Sequence, residues 1–483
     1  MKNVYHIAAP KNSFLSIIQP ADEYVKQNEY NSDKLFEKYE NKLTIRRKNM
    51  SVKIDFNKVT GKIKPMNAVN NGPAAMSVRG DSNFDLFKAA NIPFTRLHDS
   101  CFCEHYGGEW SVDVHRIFRR FDADENDPAS YDFEMTDIYM RSLCECGTEI
   151  FYRLGASIEH YKKEGTYPPE DYLKWARICE HIIRHYNEGW ANGYEMNVKY
   201  WEVWNEPDCG TLGHNPCWQG TDEQFVDFFV TAVNYLKKTF PSLKIGGPAF
   251  CNLKGDHPRS IMRAIAAKGL KLDFISYHQY AADPKDYVLH IRSANEFLRE
   301  IGYGDCETYL NEWNYSCGFQ GENWTRSIKT EQSLKGSSFI TGVMCACQRE
   351  DVTAIMYYDA RLNFNMNGLF DTFMQQRKGY YSIAAFGKLL ALGNEVLSES
   401  DDDGVYVCAA KGDDGKKLAL LTYYLDAEPQ PDKTIEIELS GAKTVTVYVL
   451  DENRDLEKAQ IIDVSDGKIA LSLKLYDTVL LEA

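Results

Sequence analysis

Two short runs carry most of the chemical information in this chain. Tyr200-Trp-Glu-Val-Trp-Asn-Glu-Pro207 and Thr308-Tyr-Leu-Asn-Glu-Trp-Asn-Tyr315 each close an apolar, strand-like stretch with a glutamate, Glu206 and Glu312. Cleavage of a glycosidic bond needs two carboxyls in different protonation states. One protonates the departing oxygen while the other attacks or supports the anomeric carbon. Held about 5 Å apart, two carboxyls repel each other, so that one keeps its proton near neutral pH. Asn205, next to Glu206, is placed to hydrogen-bond the hydroxyl beside the reacting carbon. Glu202 lies four residues earlier, roughly 13 Å deeper at the rise of an extended strand, and reads as a buried structural carboxylate.

Two such glutamates need a frame that brings distant segments together. From about residue 52 to 360, short apolar runs alternate with longer amphipathic ones, the pattern of βαβ units around a parallel sheet. Eight strands are predicted: Lys64–Val69, Phe94–Asp99, Glu149–Ala156, Val198–Trp204, Leu243–Pro248, Phe274–Gln279, Thr308–Trp313 and Thr353–Asp359. Helices are predicted over Pro168–Trp190, Asp222–Thr239 (with Thr221 as cap) and Asp286–Ile301. Eight repeats, with no Gly-rich phosphate turn after the first strand, indicate an α/β fold of the closed (β/α)₈ TIM-barrel kind. In such barrels functional groups sit at the C-terminal ends of the strands, and the fourth and seventh strands face each other across the pocket.

Past residue 393 the texture changes. Ser398–Gly404 reads as an acidic linker, and Val405–Ala410, Lys417–Tyr424, Thr434–Leu439, Thr444–Leu450 and a last pair around Asp466–Gly467 alternate in the manner of a β-sandwich. The expected domains are an N-terminal segment, 1–50, a barrel, 51–392, and a C-terminal β-sandwich, 393–483. Ser51–Phe56 and the turn Thr60–Gly61 would make an N-terminal hairpin leading into the barrel, and Val4–Ile7 and Phe14–Ile18 would add strands to the sandwich.

Composition narrows the function classes. With 55 Lys+Arg against 70 Asp+Glu the net charge is −15, which disfavours nucleic acid and anionic membranes. No run approaches the roughly 18 apolar residues of a spanning helix. Met1–Gln19 lacks the apolar centre of a secretory signal, so a cytoplasmic protein is expected. The 13 cysteines are an odd number. The pairs Cys101/Cys103, Cys144/Cys146 and Cys345/Cys347 have Cys-x-Cys spacing and no partner motif, and the histidines lack ligand spacing, so free thiols and no metal or cofactor are expected. Aromatic residues make up 13 %, which suits a sugar-handling surface as well as a large core.

Taken together, Trp-Asn-Glu-Pro after the fourth strand and Glu-Trp-Asn after the seventh resemble clan A of the glycoside hydrolases, most of all family 39, which holds β-xylosidases and α-L-iduronidases. Val52-Lys-Ile-Asp-Phe with Thr60-Gly-Lys-Ile, Phe94-Thr-Arg-Leu-His-Asp99, Ile275-Ser-Tyr-His-Gln-Tyr280 and the closing Tyr476-Asp-Thr-Val-Leu-Leu-Glu482 fit that family as well. The resemblance implies a retaining double displacement with Glu206 as acid/base and Glu312 as nucleophile. It further implies Arg96 beneath the nucleophile, Tyr280 beside it, and His98 or His278 on sugar hydroxyls. Tyr358 stands where clan members usually carry Trp and is the expected sugar platform, and Asn311 stands where the family usually has Thr.

Trp313 beside Glu312 and the loop residue Trp110 are further expected substrate contacts, with Trp218 and Trp324 as other loop platforms. Long loops at 101–110, 209–219, 318–324 and 361–373 favour a closed pocket taking one terminal sugar. The expected partner is a small oligosaccharide or glycoside, and the sequence leaves a homo-oligomer open. β-Xylosidase chemistry is the first expectation. β-Galactosidase, α-L-arabinosidase or β-glucosidase chemistry by the same mechanism is the second, and a non-catalytic sugar-binding barrel the third.

Overall fold

The computed structural model describes residues 51–76, 81–100, 111–362, 366–427 and 430–483. The strands expected at Val4–Ile7 and Phe14–Ile18, and the platform Trp110, lie outside the described residues. Among the described residues the first element is β1 (Ser51–Lys62), followed by a closed barrel of eight parallel strands. These are β2 (Ala68–Asn70), β3 (Phe94–Leu97), β4 (Glu149–Leu154), β5 (Tyr200–Val203), β6 (Lys244–Phe250), β7 (Phe274–Ala281), β8 (Glu307–Tyr315) and β9 (Ala354–Tyr357). All eight fall within or across the predicted runs, and they follow chain order around the barrel until β9 pairs with β2.

The outer helices are α1 (Phe84–Ala89), α2 (Glu134–Cys146), α3 (Tyr172–Glu188), α4 (Asp222–Thr239), α5 (Asp256–Ala267), α6 (Pro284–Glu300), α7 (Leu334–Cys347) and α8 (Lys378–Leu392), with Gly321–Glu331 an extra helix before α7. Capping explains where the predicted boundaries moved. Asp171 accepts from the Lys174 amide, so α3 starts after Pro168, while Asp283 caps α6 and Pro284 takes its first position. Thr221 and Gln224 form a reciprocal capping box, which fixes α4 where the sequence predicts it.

Strand alternation sorts the barrel interior into layers. Ala68, Phe151, Phe274, Tyr309, Ala354 and Met356 fill the N-terminal end, with Phe94 and Tyr200 against them. Two residues further along the same strands, the inward positions are Asn70, Arg96, Arg153, Glu202, Ser276 and Asn311, all fully buried. The barrel is therefore plugged with rings at one end and polar at the other.

Residues 394–483 supply β10 (Asn394–Ser400), β11 (Val405–Lys411), β12 (Lys417–Tyr423), β13 (Lys433–Ser440), β14 (Thr444–Leu450), β15 (Asp455–Asp463), β16 (Lys468–Leu473) and β17 (Thr478–Glu482). With β1 they form one hydrogen-bonded sheet in the order β15-β14-β17-β12-β11-β10-β1-β13-β16. Two expectations are corrected here. No hairpin leads into the barrel, because β1 runs parallel to β13 and antiparallel to β10. Ser398–Gly404 is likewise only partly a linker, since its first residues belong to β10, which the long β1 edge needs as a partner.

This sheet joins the barrel through β11 and β12, which are buried on both faces. Val407, Ala409, Ala419 and Leu421 enter the sheet's own core, while Cys408, Ala410, Leu418 and Leu420 enter the barrel's helical core. Ser338 of α7 and Thr422 share a hydroxyl hydrogen bond of 2.7 Å across this junction.

Candidate active site

Glu206 and Glu312 sit at the C-terminal mouth of the barrel, 9 % and 6 % exposed. Glu206 lies just past β5, with a left-handed φ of +47° that its amide hydrogen bond to the Ala249 carbonyl (2.8 Å) helps hold. Glu312 arrives by a different route. With Tyr309 pointing inward, regular alternation would send Asn311 and Trp313 in and Glu312 out. The pairing of β8 with β7 slips between Leu310 and Glu312, and both Asn311 and Glu312 point inward. Each glutamate then offers one carboxylate oxygen within 4.8 Å of the other's and of His278.

The same slip decides Trp313. Its ring is fully buried against Tyr287, Phe339 and Tyr357, among the helices outside the barrel, and it is no substrate contact. Trp218 is also core, stacked on Phe228 of α4. Trp324 stays at the rim, stacked on Phe319, whose ring meets Tyr280 edge-on at 5.3 Å.

Arg96 organises the polar floor. Its Nη1 donates to Glu312 Oε2 (3.1 Å) and Asn70 Oδ1 (3.2 Å), its Nε to Glu202 Oε2 (2.7 Å), and its Nη2 to Asn205 Oδ1 (2.6 Å). Burial disfavours its charge, but Glu202 and Glu312 outweigh this and raise its pKa. Glu202 is the structural carboxylate expected, accepting from Arg96, Ser276 Oγ and Asn311 Nδ2. Since a guanidinium only donates, Asn205 must turn its oxygen to Arg96, which leaves its buried Nδ2 without a protein partner.

The two carboxyls are dressed differently. Glu312 accepts from Arg96 and, at Oε1, from the Tyr280 hydroxyl at 2.6 Å. Burial raises its pKa, and Arg96 and Tyr280 pull against that rise. For Glu206 burial is again the main cause, but Cys209 and Asp208 add to it, and its pKa stands well above the usual carboxylate range. Asp208 is itself raised to about 7 by burial. Of the two catalytic candidates, Glu312 therefore ionises first and Glu206 holds its proton longer.

His278 Nδ1 lies 2.7 Å from Glu206 Oε1 and 3.6 Å from Glu312 Oε2. Burial lowers its pKa to about 4, so the ring is neutral at neutral pH. A protonated Glu206 then donates to Nδ1, and the ring proton sits on Nε2, which has no partner among the described residues. His98 accepts at Nδ1 from Arg153 Nε (3.2 Å), and Asp113 fixes Arg153 in turn. Burial, then Arg96, holds His98 far below its ordinary pKa. Tyr358 donates to Asp99 Oδ2 (3.0 Å) and accepts from Arg361 Nη2 (2.8 Å). Asn70, Ser276, Arg153, Phe319 and Arg361 escaped the sequence reading, since each is an ordinary strand or loop residue until its neighbours are known.

The sequence profile of Glycosyl hydrolases family 39 matches residues 50–298, just over half of the 483-residue chain. The chain belongs to this family. A β-xylosidase of Caldicellulosiruptor saccharolyticus is 28 % identical over 253 residues, 49 % of this chain and 48 % of that protein. A β-xylosidase of Geobacillus stearothermophilus is 23 % identical over 228 residues, 41 % of this chain and 44 % of its own length. The aligned part thus spans about half the length of these curated relatives. Two crystal structures share the fold over nearly the whole chain. A glucosidase from Croceicoccus marinus has a TM-score of 0.73 at 19 % identity, covering 90 % of this chain and 98 % of that one. A β-xylosidase from Caulobacter crescentus has a TM-score of 0.65 at 15 % identity, covering 89 % and 99 %. The family 39 match contains Arg96, Asn205, Glu206, His278 and Tyr280 and stops before Glu312.

Proposed function

We propose that this family 39 protein is a retaining exo-glycosidase of the β-xylosidase kind, hydrolysing terminal sugars from short oligosaccharides by a two-glutamate double displacement. The observation that carries the reading is the pair Glu206 and Glu312, with oxygens within 4.8 Å and unequal surroundings. Inverting enzymes separate their carboxyls by roughly 6.5–9.5 Å to admit a water, and retaining ones by roughly 5–5.5 Å. The close pair here supports the retaining case.

In the first step Glu312, kept ionised by Arg96 and Tyr280, attacks the anomeric carbon while Glu206 gives its proton to the departing oxygen. The bond to the leaving group breaks as the glycosyl ester forms. In the second step Glu206, now a carboxylate, takes a proton from water, which attacks the same carbon and releases Glu312. The unpartnered Asn205 Nδ2 and His278 Nε2 are donors aimed at sugar hydroxyls, and buried donors of this kind reject a sugar that lacks the matching acceptor. His98 and Tyr358 complete the terminal-sugar pocket, and Phe319 with Trp324 forms a rim platform for the leaving group. Every described cysteine is free, which supports action in a reducing cytoplasm on imported oligosaccharides. Among the described residues no helix is long and apolar enough to cross a membrane.

A panel of nitrophenyl glycosides tests the sugar and the chemistry together, with the xyloside expected to turn over fastest. Glu312→Ala should be inactive, and azide should restore turnover with a glycosyl azide of inverted configuration. Hydrolysis surviving in both Glu206→Ala and Glu312→Ala would end this account.

A further inference from the structure

Behind Glu206 the barrel mouth is crowded with thiols. Cys209 and Cys217 come from the loop that follows β5, and Cys251 follows the last residue of β6. One oxygen of Glu206 and the sulfurs of Cys209 and Cys217 all lie within 4.8 Å of one another. Cys217 Sγ is 3.9 Å from Glu206 Oε2, and the buried Cys251 thiol interacts with both Cys209 and Glu206. Beside them Asp208 is fully buried. Its Oδ1 accepts from the Cys251 amide (2.9 Å), but its Oδ2 has no partner among the described residues. Arg96, the cation nearest in electrostatic effect on Glu206, is committed to Glu202, Glu312, Asn70 and Asn205. The cluster therefore brings soft ligands and buried carboxylates together.

We infer that this cluster is a binding site for a thiophilic divalent cation of the zinc or cadmium class, with Cys209, Cys217 and Glu206 as ligands and Cys251 as the fourth. Such ions take four N, O or S ligands tetrahedrally, at about 2.3 Å to sulfur and about 2.0–2.2 Å to carboxylate oxygen, and ligand atoms already this close need only small inward movements. Binding displaces the thiol protons, and it occupies the carboxylate that must carry the acid proton. The ion is thus an off-switch laid over the acid, a consequence that rests on the proposed role of Glu206. Cysteine spacing gives no hint of it, because Cys251 joins the other two only through the neighbouring strand.

The test is a titration of the reduced, chelator-free chain with cadmium chloride, following the ultraviolet thiolate-to-cadmium absorption and the hydrolysis of an aryl xyloside in the same samples. The band should saturate at one ion per chain, activity should fall in proportion, and a chelator should restore both. The double variant Cys209→Ser/Cys217→Ser should need at least about 100-fold more cadmium, beyond what losing an outer partner costs. Should that variant fail to fold, Cys217→Ser and Cys251→Ser alone should each weaken the band. A band indifferent to these cysteines, or one that saturates while hydrolysis is untouched, would overturn the inference. If the wild-type chain cleaves no glycoside, the absorbance still decides the metal site and only the proposed function falls.

Discussion

The inside of the barrel and the inside of the nine-stranded sheet solve opposite problems with the same alternating strands. In β13 the inward residues are Ile435, Ile437 and Leu439, the outward ones Thr434, Glu436, Glu438 and Ser440, and every inward atom gains from leaving water. In the barrel the inward positions pass from Phe94, Phe151, Phe274 and Tyr309 to Arg96, Arg153 and Glu202 within two residues. Those charges are buried at a cost that only mutual hydrogen bonding offsets. The difference teaches that the sheet is built for stability, whereas the barrel mouth gives up stability to hold groups in states that water would not permit.

The sharpest test sets one residue from each region against the other. Glu312→Ala should lower kcat by about 10⁴-fold or more while leaving the chain folded, the scale on which nucleophiles act. Ile437→Ala, in a fully buried sheet position, should do the reverse, costing about 2–5 kcal/mol in denaturant melts and leaving kcat/KM of the folded enzyme intact. If both variants lost activity in step with stability, the division would collapse. Next in size, Arg96→Met removes a buried cation and leaves Glu202 uncompensated. It should destabilise by roughly 3–5 kcal/mol and also cut activity, because Glu312 loses its fixed donor.

Asp208→Asn probes the electrostatics alone. As the proposed acid Glu206 must be protonated to act, and Asp208 helps raise its pKa, so the alkaline limb of kcat/KM should move to lower pH in the variant. Stability carries its own sign. Burial raises the Asp208 carboxyl from its ordinary 3.8 to about 7, so the folded state loses stability as pH climbs through that interval. Asn cannot ionise, and the variant's melting profile should be flatter there. An unmoved alkaline limb would show that Asp208 does not reach Glu206. The smallest effect belongs to the rim: Phe319→Ala should raise KM for aryl glycosides by about 2–10-fold with kcat little changed, the worth of one aromatic contact.

Much of this was legible in the sequence because it depends on local pattern. Eight apolar runs separated by amphipathic segments announced the barrel, and a glutamate closing the fourth and seventh of them marked the mouth. Arg96, His98, His278 and Tyr280 share one face by simple alternation, so a single register makes them neighbours. Trp313 was misread because whether a residue of this strand faces in depends on a slip of one position between β8 and β7, which neither strand records by itself.

The N-terminal strand was misread as a hairpin because its partners, β10 and β13, lie more than three hundred residues away along the chain. The sequence by itself therefore determined the layer pattern, the family and the two candidate carboxylates, since these follow from periodicity and short motifs. Only the tertiary structure decided which oxygen faces which nitrogen, which glutamate keeps its proton, and that three scattered thiols meet behind it. Those outcomes are set by burial and by contacts across strands, and both come into being only when the barrel closes.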